Sequence, residues 1–227
     1  MILPTAYLPP TAYLAEIFQE DGCEVEACET YKKQTCRNHC DIYGPNGLQT
    51  LRIPVIKTSG NHTLTKDIRI SYRQPWQLNH WRSIETAYNN APFFIYYKDF
   101  FEPFFRKETG FLLDFNTQIL MDILQLLKST CMVTRTQEFN RGNHPEQREA
   151  FVSKKRNFPH PSYLQPFTSS HGFIDNLSII DTLFNLGPDT PEYLNRFFTN
   201  PPQKINGCSL GCSECRINEQ LTNFKNH

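Results

Sequence analysis

A cluster of cationic and amide side chains lies at Lys33, Gln34, Arg37 and Asn38, just before a strong turn signal. Interpreted as a strand, this segment places Lys33 and Arg37 on one face, because strand side chains alternate. Gln34 and Asn38 then share the opposite face. A Lys and an Arg on one face can hold a phosphate or a carboxylate, and the guanidinium offers two parallel hydrogen bonds. The segment predicts a clamp for the diphosphate of a nucleotide sugar, although ion pairs on a solvated sheet face would explain it too.

His80 is suited to acid–base chemistry, because its unperturbed pKa lies near neutral pH. It stands on an expected helix beside Trp81, where Glu85 has the wrong helical offset to orient its ring. A carboxylate partner must therefore come from another segment, such as Asp175 or Asp181. We expect His80 and Asp181 as catalytic candidates, and a structural histidine satisfied within the core is the competing interpretation.

Two further segments could contact a sugar or an anion. Tyr7 and Tyr13, with prolines between them, could offer an aromatic platform for a sugar ring, although core packing explains them as well. Asn176 stands where a helix is expected to begin, and the exposed amides of a first helical turn can hold an anion. Capping of that helix by Asp175 or Asn176 is the competing explanation.

A third kind of chemistry is suggested near the C-terminus by Cys208, Cys212 and Cys215. Their spacing formally matches the iron–sulfur loop of radical-SAM enzymes, but such a loop belongs near the start of a large barrel. Three thiolates could instead bind zinc with a fourth ligand such as His227. A tail without metal is the alternative interpretation.

The composition limits the class of protein. The chain has 227 residues, 39% of them hydrophobic and 13% aromatic, which is enough for one substantial core. The 23 basic residues balance the 23 acidic ones, so the charge surplus that phosphate-dominated nucleic-acid binding needs is missing. No apolar run is long enough to predict a membrane span. Neither a dinucleotide fingerprint, a phosphate loop nor a zinc-protease helix identifies a cofactor.

The N-terminus and the cysteine content bear on the compartment. The first residues lack the basic segment of a secretory signal and contain prolines, so we expect a cytoplasmic protein. The eight cysteines are then expected to be free thiols or metal ligands rather than disulfides.

The periodicity changes along the chain. Alternating apolar residues between Cys23 and Tyr72 predict strands, and the Gly44–Gly47 turn predicts a β-hairpin over roughly residues 35–56. Helical spacing follows in the second half, most clearly in the stripe of Leu112, Phe115, Ile119, Ile123 and Leu126. We therefore predict an α+β fold, with an antiparallel sheet from the N-terminal half packed against helices from the C-terminal half. Residues 1–200 would form one domain and residues 201–227 a polar, cysteine-containing tail.

Five stretches, spread over residues 7–188, together resemble the WbqC-like family: Tyr7–Tyr13, Tyr31–Asn38, His80–Phe94, Phe111–Asn116 and Gly172–Pro188. The resemblance implies a bacterial protein encoded among genes for O-antigen or other surface polysaccharides. Where the family motif often has an aromatic residue this chain has Cys36, which disfavours a shared catalytic role for that thiol.

Three hypotheses of function follow. The first is an enzyme of surface-polysaccharide biosynthesis that transfers an acyl or aminoacyl group to an amino sugar or nucleotide sugar. His80 would be its base, and Lys33 with Arg37 its anion clamp. The second is a non-catalytic scaffold or regulatory partner of other glycan-pathway proteins. The third is a metal-binding protein that uses the tail cysteines.

Overall fold

The computed structural model describes residues 1–139 and 161–197. The strands are β1 (Ile2–Pro4), β2 (Gly22–Glu26), β3 (His39–Gly44), β4 (Gly47–Arg52), β5 (Val55–Ile56), β6 (Arg69–Ile70) and β7 (Met132–Arg135). The α-helices are α1 (Thr11–Ile17), α2 (Trp76–Tyr88), α3 (Phe94–Phe101), α4 (Leu112–Leu126), α5 (Thr168–His171), α6 (Ile179–Leu186) and α7 (Thr190–Arg196). Short 3₁₀ helices occur at Gly60–His62, Thr65–Asp67, Glu102–Phe105 and Gly187–Asp189.

The largest sheet of the described residues has the order β1-β2-β7 and is parallel throughout. The mixed α+β class is confirmed, but the prediction of an antiparallel sheet is wrong for these three strands. Residues 5–21 carry α1 between β1 and β2, and a crossover of that length lets consecutive strands run in the same direction. β1 and β7 are too short for their alternation to be visible in the sequence.

Antiparallel pairing occurs in the hairpin of β3 and β4, where Gly44 lies opposite Gly47 and His39 lies opposite Arg52. The predicted turn is confirmed, and Gly47 takes a φ of +92° that side chains other than glycine rarely adopt. The predicted strand was too long at its start, because residues 33–38 form a bend and a turn that precede β3. A second antiparallel pair joins β5 to β6.

Helices of the second half pack against the hairpin, since α2 and α6 both contact β3. The apolar stripe predicted for α4 is confirmed at Leu112, Phe115, Ile119 and Ile123, which are all buried, while Leu126 at the end of the helix is half-buried. Buried apolar side chains from the parallel sheet, the hairpin and the helices form one continuous cluster. In the described part of the chain, no helix is both long and apolar enough to cross a membrane. Residues 201–227 lie outside the described ranges, so the predicted division near residue 200 stays a prediction.

Candidate functional site

Helix α2 carries the imidazole that the sequence singled out. Trp76, His80 and Ile84 are spaced four residues apart, so they share one face of the helix. All three are buried, and His80 is only 6% exposed. This face packs toward the β3–β4 hairpin and the first loop of the chain.

The His80 ring has a hydrogen-bond partner at Nδ1, which lies 2.9 Å from the hydroxyl of Tyr7. In the tautomer that carries its proton on Nε2, Nδ1 accepts from this hydroxyl. Burial lowers the pKa of His80 to about 4, against the smaller opposing effect of the Arg52 backbone. The imidazole is therefore neutral at physiological pH.

Aromatic rings surround this histidine. The Trp76 ring meets His80 edge-on, with centroids 5.1 Å apart, and Phe115 of α4 contacts both Trp76 and Tyr7. Tyr7 is fully buried, and burial raises its pKa well above the usual value. The predicted role of Tyr7 as an open platform for a sugar has no exposed ring face to support it. Tyr7 instead positions the imidazole of His80 through its hydrogen bond with Nδ1.

A pocket of about 410 Å³ opens in front of His80, within the size range of small-molecule sites. It lies between the end of β4, strand β5 and the start of α2. Its lining combines amides, a guanidinium, an indole and apolar side chains: Asn38, Arg52, Ile53, Pro54, Val55, Gln74, Trp76, Asn79 and His80. Of the residues that the sequence predicted for a site, Asn38 and His80 are brought together here.

Two buried polar atoms of the pocket residues have no partner within the described part of the protein. The side-chain nitrogen of Asn38 donates to the carbonyl of Ile53 at 2.9 Å, while its Oδ1 accepts nothing. The indole Nε1 of Trp76 donates to nothing. An unpaired buried polar group costs about 1–3 kcal/mol. Both atoms are closed to solvent, and six further buried polar atoms elsewhere in the described residues are also unpaired, so the missing partners do not by themselves mark a binding place.

Arg37 does not form the predicted anion clamp with Lys33. Its guanidinium is fully buried, and Nε and Nη2 donate to one oxygen of Glu29 at 2.8 and 2.5 Å. Nη1 donates to the hydroxyl of Thr35 at 3.1 Å. This ion pair is enclosed on both sides, so Arg37 stabilises the loop before β3 and has no face left for a phosphate.

Lys33 and Gln34 lie in the bend that precedes the buried part of this loop. Both side chains are exposed, and Gln34 has a φ of +57°. Because the segment is a turn, the strand alternation that placed Lys33 beside Arg37 does not apply. The structure therefore does not bring Lys33, Gln34 and Arg37 together with His80, and their role in binding stays a prediction.

Asn176 caps a helix other than the one the sequence suggested. Its Oδ1 accepts the backbone N–H of Ala12 at 3.0 Å, in the first turn of α1. The residue before α6 is Ser178 rather than Asn176, and the N–H of Ile179 donates to the Pro9 carbonyl. Asn176 joins the two segments, and this first-turn amide of α6 is already paired.

Asp181 lies in a separate buried cluster. Its Oδ2 accepts from the Tyr163 hydroxyl at 2.5 Å and from Gln165 Nε2 at 2.9 Å, while its Oδ1 has no hydrogen-bond partner among the described residues. Burial raises the pKa of Asp181, although these hydrogen bonds oppose the shift. Its hydrogen-bond partners are not those of His80, so Asp181 belongs to a different part of the core and does not orient the imidazole.

A second cavity of about 610 Å³ lies between α3 and α4. Phe100, Phe104 and Phe115 contribute aromatic surface, and Asp99 and Asp122 lie among its other lining residues. None of the residues predicted from the sequence as site residues lines it. It shares Phe115 with the ring cluster behind His80.

The predicted metal ligands Cys208, Cys212 and Cys215 lie outside the described residues. Within residues 1–139 and 161–197, no group of three or more His, Cys, Asp or Glu side chains could hold a metal ion. The five cysteines of that part of the chain are all free thiols. Burial raises the pKa of the Cys36 thiol to about 11, which disfavours the reactive thiolate.

Four pocket residues with polar side-chain atoms were missed by sequence reasoning: Arg52, Gln74, Trp76 and Asn79. Trp76 and Asn79 could have been found, because they stand four and one residues before His80 on the same helix. Arg52 and Gln74 carry no comparable signal. They reach the pocket only through the pairing of β4 with β3 and the path of the chain into α2.

The fold and the pocket describe a mixed α+β protein with a site of small-molecule size, and comparison with known proteins gives its family. The chain belongs to the WbqC-like protein family, which matches residues 5–158. It is also similar to a Mycobacterium tuberculosis protein described as uncharacterized protein Rv1507c. The two are 22% identical over 222 residues, which cover 85% of this chain and 96% of that protein. No solved structure matches the chain.

Proposed function

We propose that this protein binds a phosphorylated or nucleotide-activated sugar in the pocket beside His80, as a step in surface-polysaccharide biosynthesis. One observation carries the proposal: a pocket of about 410 Å³ that brings exposed polar side chains, among them Arg52 and Asn79, together beside the imidazole of His80.

The charge and residue types of the pocket support a sugar with an anionic group. Arg52 is exposed at the pocket and provides the cation that the buried Arg37 cannot provide. A guanidinium can bind a phosphate through two parallel hydrogen bonds. The exposed amides of Gln74 and Asn79 can both donate to and accept from sugar hydroxyls.

The pathway comes from the family resemblance, and the reaction class within it is acyl or aminoacyl transfer to the bound sugar. His80 is neutral, which a general base must be before it accepts a proton. Its Nδ1 is held by the Tyr7 hydroxyl, so it acts as a base only if substrate binding replaces one of its present hydrogen bonds. Binding is thus the better supported part of the proposal, and catalysis by His80 its second step.

Isothermal titration with uridine-diphosphate and thymidine-diphosphate sugars tests the binding step. We expect saturable heat with at least one of them, weakened about tenfold in Arg52→Gln because a charge-assisted hydrogen bond contributes roughly 1.5 kcal/mol or more. Arg82→Gln is the matched control, since Arg82 is an exposed arginine of α2 that does not line the pocket.

The two possible failures have different meanings. A folded protein that binds no sugar nucleotide contradicts the proposed function. Binding that Arg52→Gln and Arg82→Gln weaken equally would place the sugar elsewhere on the surface. If binding is confirmed, His80→Gln separates the second step: it should abolish turnover of an acyl donor and leave the heat of sugar binding in place.

A non-catalytic partner of glycan-pathway proteins is the second candidate. Ile95 and Tyr96 are neighbours on α3 and are 65% and 75% exposed, so together they offer an apolar contact for a partner. A pull-down from the native host with wild type and with an Ile95→Ser, Tyr96→Ser double variant tests it. Loss of specific pathway proteins only in the double variant would favour this role.

A further inference from the structure

We propose that the cavity between α3 and α4 is a second binding site, which takes a small organic cation with an apolar or aromatic body. It shares no lining residue with the His80 pocket, so the inference goes beyond the proposed function and is tested separately. It is drawn from the volume of the cavity, its aromatic surface and the charges of its lining.

The size of the cavity favours a small molecule. Its volume is about 610 Å³, larger than that of the pocket beside His80 and within the range of small-molecule sites. A specific contact with another protein covers about 800 Å² on each partner, which needs a broad surface rather than a cavity. The occupant that fits the space between α3 and α4 is therefore a small ligand.

One wall of the cavity is held in place by side chains that do not line it. Gln77 of α2 donates through Nε2 to the carbonyls of Phe104 and Lys107, at 3.1 and 2.8 Å. The hydroxyl of Tyr72 accepts from the N–H of Thr109 at 2.8 Å and donates to the carbonyl of the same residue at 3.0 Å. These bonds order the wall before a ligand arrives, which lowers the cost of binding.

Three phenylalanines supply the apolar surface of the cavity. Phe104 meets Phe100 and Phe115 edge-on, with ring centroids 6.3 Å apart in each pair. Phe115 is buried, whereas Phe100 and Phe104 are only half-buried. A half-buried ring leaves area for a ligand to cover, and the face of an aromatic ring attracts a cation within about 6 Å.

The charged groups of the lining are mostly acidic, since three aspartates stand against one lysine. Asp114 is paired with Arg135 at 2.7 Å, so its charge is already neutralised. Asp122 accepts a hydrogen bond from a neighbouring neutral amide, and Asp99 has no hydrogen bond or ion pair among the described residues. Asp99 and Asp122 therefore outweigh Lys107, and the lining is complementary to a positive charge.

Three probes of matched shape test the inference: phenethylammonium, phenethyl alcohol and hydrocinnamate. Each has a phenyl ring on a two-carbon chain, and the end group is positive, neutral or negative. Saturation-transfer NMR titrations of the full chain at pH 7 measure their dissociation constants. We expect the ammonium to bind about fivefold more tightly than the alcohol, because an exposed ion pair and a cation–π contact each contribute modestly. The carboxylate should bind more weakly than the alcohol.

Two double variants locate the site. Asp99→Asn with Asp122→Asn keeps the shape of the cavity and removes two of its negative charges. It should reduce the preference for the ammonium to less than about twofold, while the alcohol binds as before. Asp67→Asn with Asp189→Asn is the matched control, since both are exposed aspartates that do not line the cavity. This control changes the total charge equally and should keep the preference.

Phe104→Leu tests the aromatic surface independently of the charges. It keeps an apolar side chain and loses the ring, so it should weaken binding of the ammonium more than that of the alcohol. An ammonium that does not bind, equal affinity for the three probes, or a preference that survives the Asp99 and Asp122 variant overturns the inference. Equal loss of the preference in both double variants overturns it too, because that result reflects only the overall charge of the protein. None of these outcomes bears on the sugar site, which the titrations with sugar nucleotides test by themselves.

Discussion

His80 and Asp181 are both buried ionisable groups, yet they occupy very different surroundings. The imidazole of His80 is hydrogen-bonded to the Tyr7 hydroxyl and stands at the wall of an open pocket. One oxygen of the Asp181 carboxyl accepts from Tyr163 and Gln165, while the other, Oδ1, has no hydrogen-bond partner among the described residues.

His80 and Asp181 are both buried, but only His80 lines a pocket described above. Burial shifts both pKa values toward the neutral form, lowering that of His80 and raising that of Asp181. A perturbed pKa therefore does not by itself locate a binding site. What distinguishes the His80 region is a cavity that a ligand can enter. The buried hydrogen bonds of Asp181 stabilise the packing around α6, which is a structural role.

The largest expected effect comes from emptying the Asp181 cluster. Asp181→Ala leaves the buried hydroxyl of Tyr163 without its acceptor and removes one of the two acceptors of the Gln165 amide nitrogen, and each unpaired buried group is costly. We expect the free energy of unfolding to fall by about 4 kcal/mol. Urea denaturation measures it, with Asp181→Asn as the control that keeps an acceptor oxygen and loses about half as much. A loss below about 1 kcal/mol would contradict the structural role.

The second prediction concerns pH and uses the lowered pKa of His80. Between its unfolded pKa of 6.5 and its folded value of about 4, the unfolded chain binds a proton that the folded chain does not. Stability therefore falls as the pH falls through this window, by about 3 kcal/mol in total. Denaturation curves at pH 7 and pH 4 measure the change, and His80→Gln should remove this contribution.

Asp181 should show the opposite slope. Its pKa is raised in the folded state, so above the unfolded value of 3.8 the unfolded chain releases a proton that the folded chain retains. Stability then falls as the pH rises toward the folded pKa, and Asp181→Asn removes that contribution. If both substitutions change the pH dependence in the same direction, the contrast between the two regions is wrong.

A smaller effect is expected from Tyr7→Phe, which removes the hydroxyl that donates to His80 Nδ1. We expect a loss of about 1 kcal/mol in stability and a rise in the pKa of His80, because the neutral ring loses a hydrogen bond. Tyr13→Phe is the matched control, since its buried hydroxyl donates to the Pro4 carbonyl at 2.9 Å. Proton NMR titration of the imidazole should show the shift only in the Tyr7 variant.

The smallest expected effect on stability comes from Asn79→Ala, which tests the His80 pocket without touching the Asp181 cluster. Asn79 lines the pocket and its side chain is exposed, so Asn79→Ala should change the free energy of unfolding by less than about 0.5 kcal/mol. The same substitution should weaken sugar binding measurably in titration calorimetry. Equal affinity in wild type and variant would remove Asn79 from the proposed contact surface.

Much of the secondary structure was predictable because its signals are local. The Gly44–Gly47 turn is recognisable from four adjacent residues. The apolar stripe of α4 follows the helical period, which is visible within a few turns of sequence. The parallel sheet was not predictable from local signals, because β1 has only three residues and β7 only four. Both strands pair with β2, and these pairings depend on contacts between distant parts of the chain.

The residues by themselves determined the family resemblance, the hairpin turn and the long helix α4. They also identified His80 and Asn38 as candidate site residues. Only the tertiary structure decided which polar groups remain available. It paired Arg37 with Glu29, enclosed Asp181 among tyrosines and brought Arg52 and Trp76 to the pocket. The physical reason is that a hydrogen bond or an ion pair depends on the positions of two partners. A sequence specifies each partner separately, and the folded chain alone specifies the distance between them.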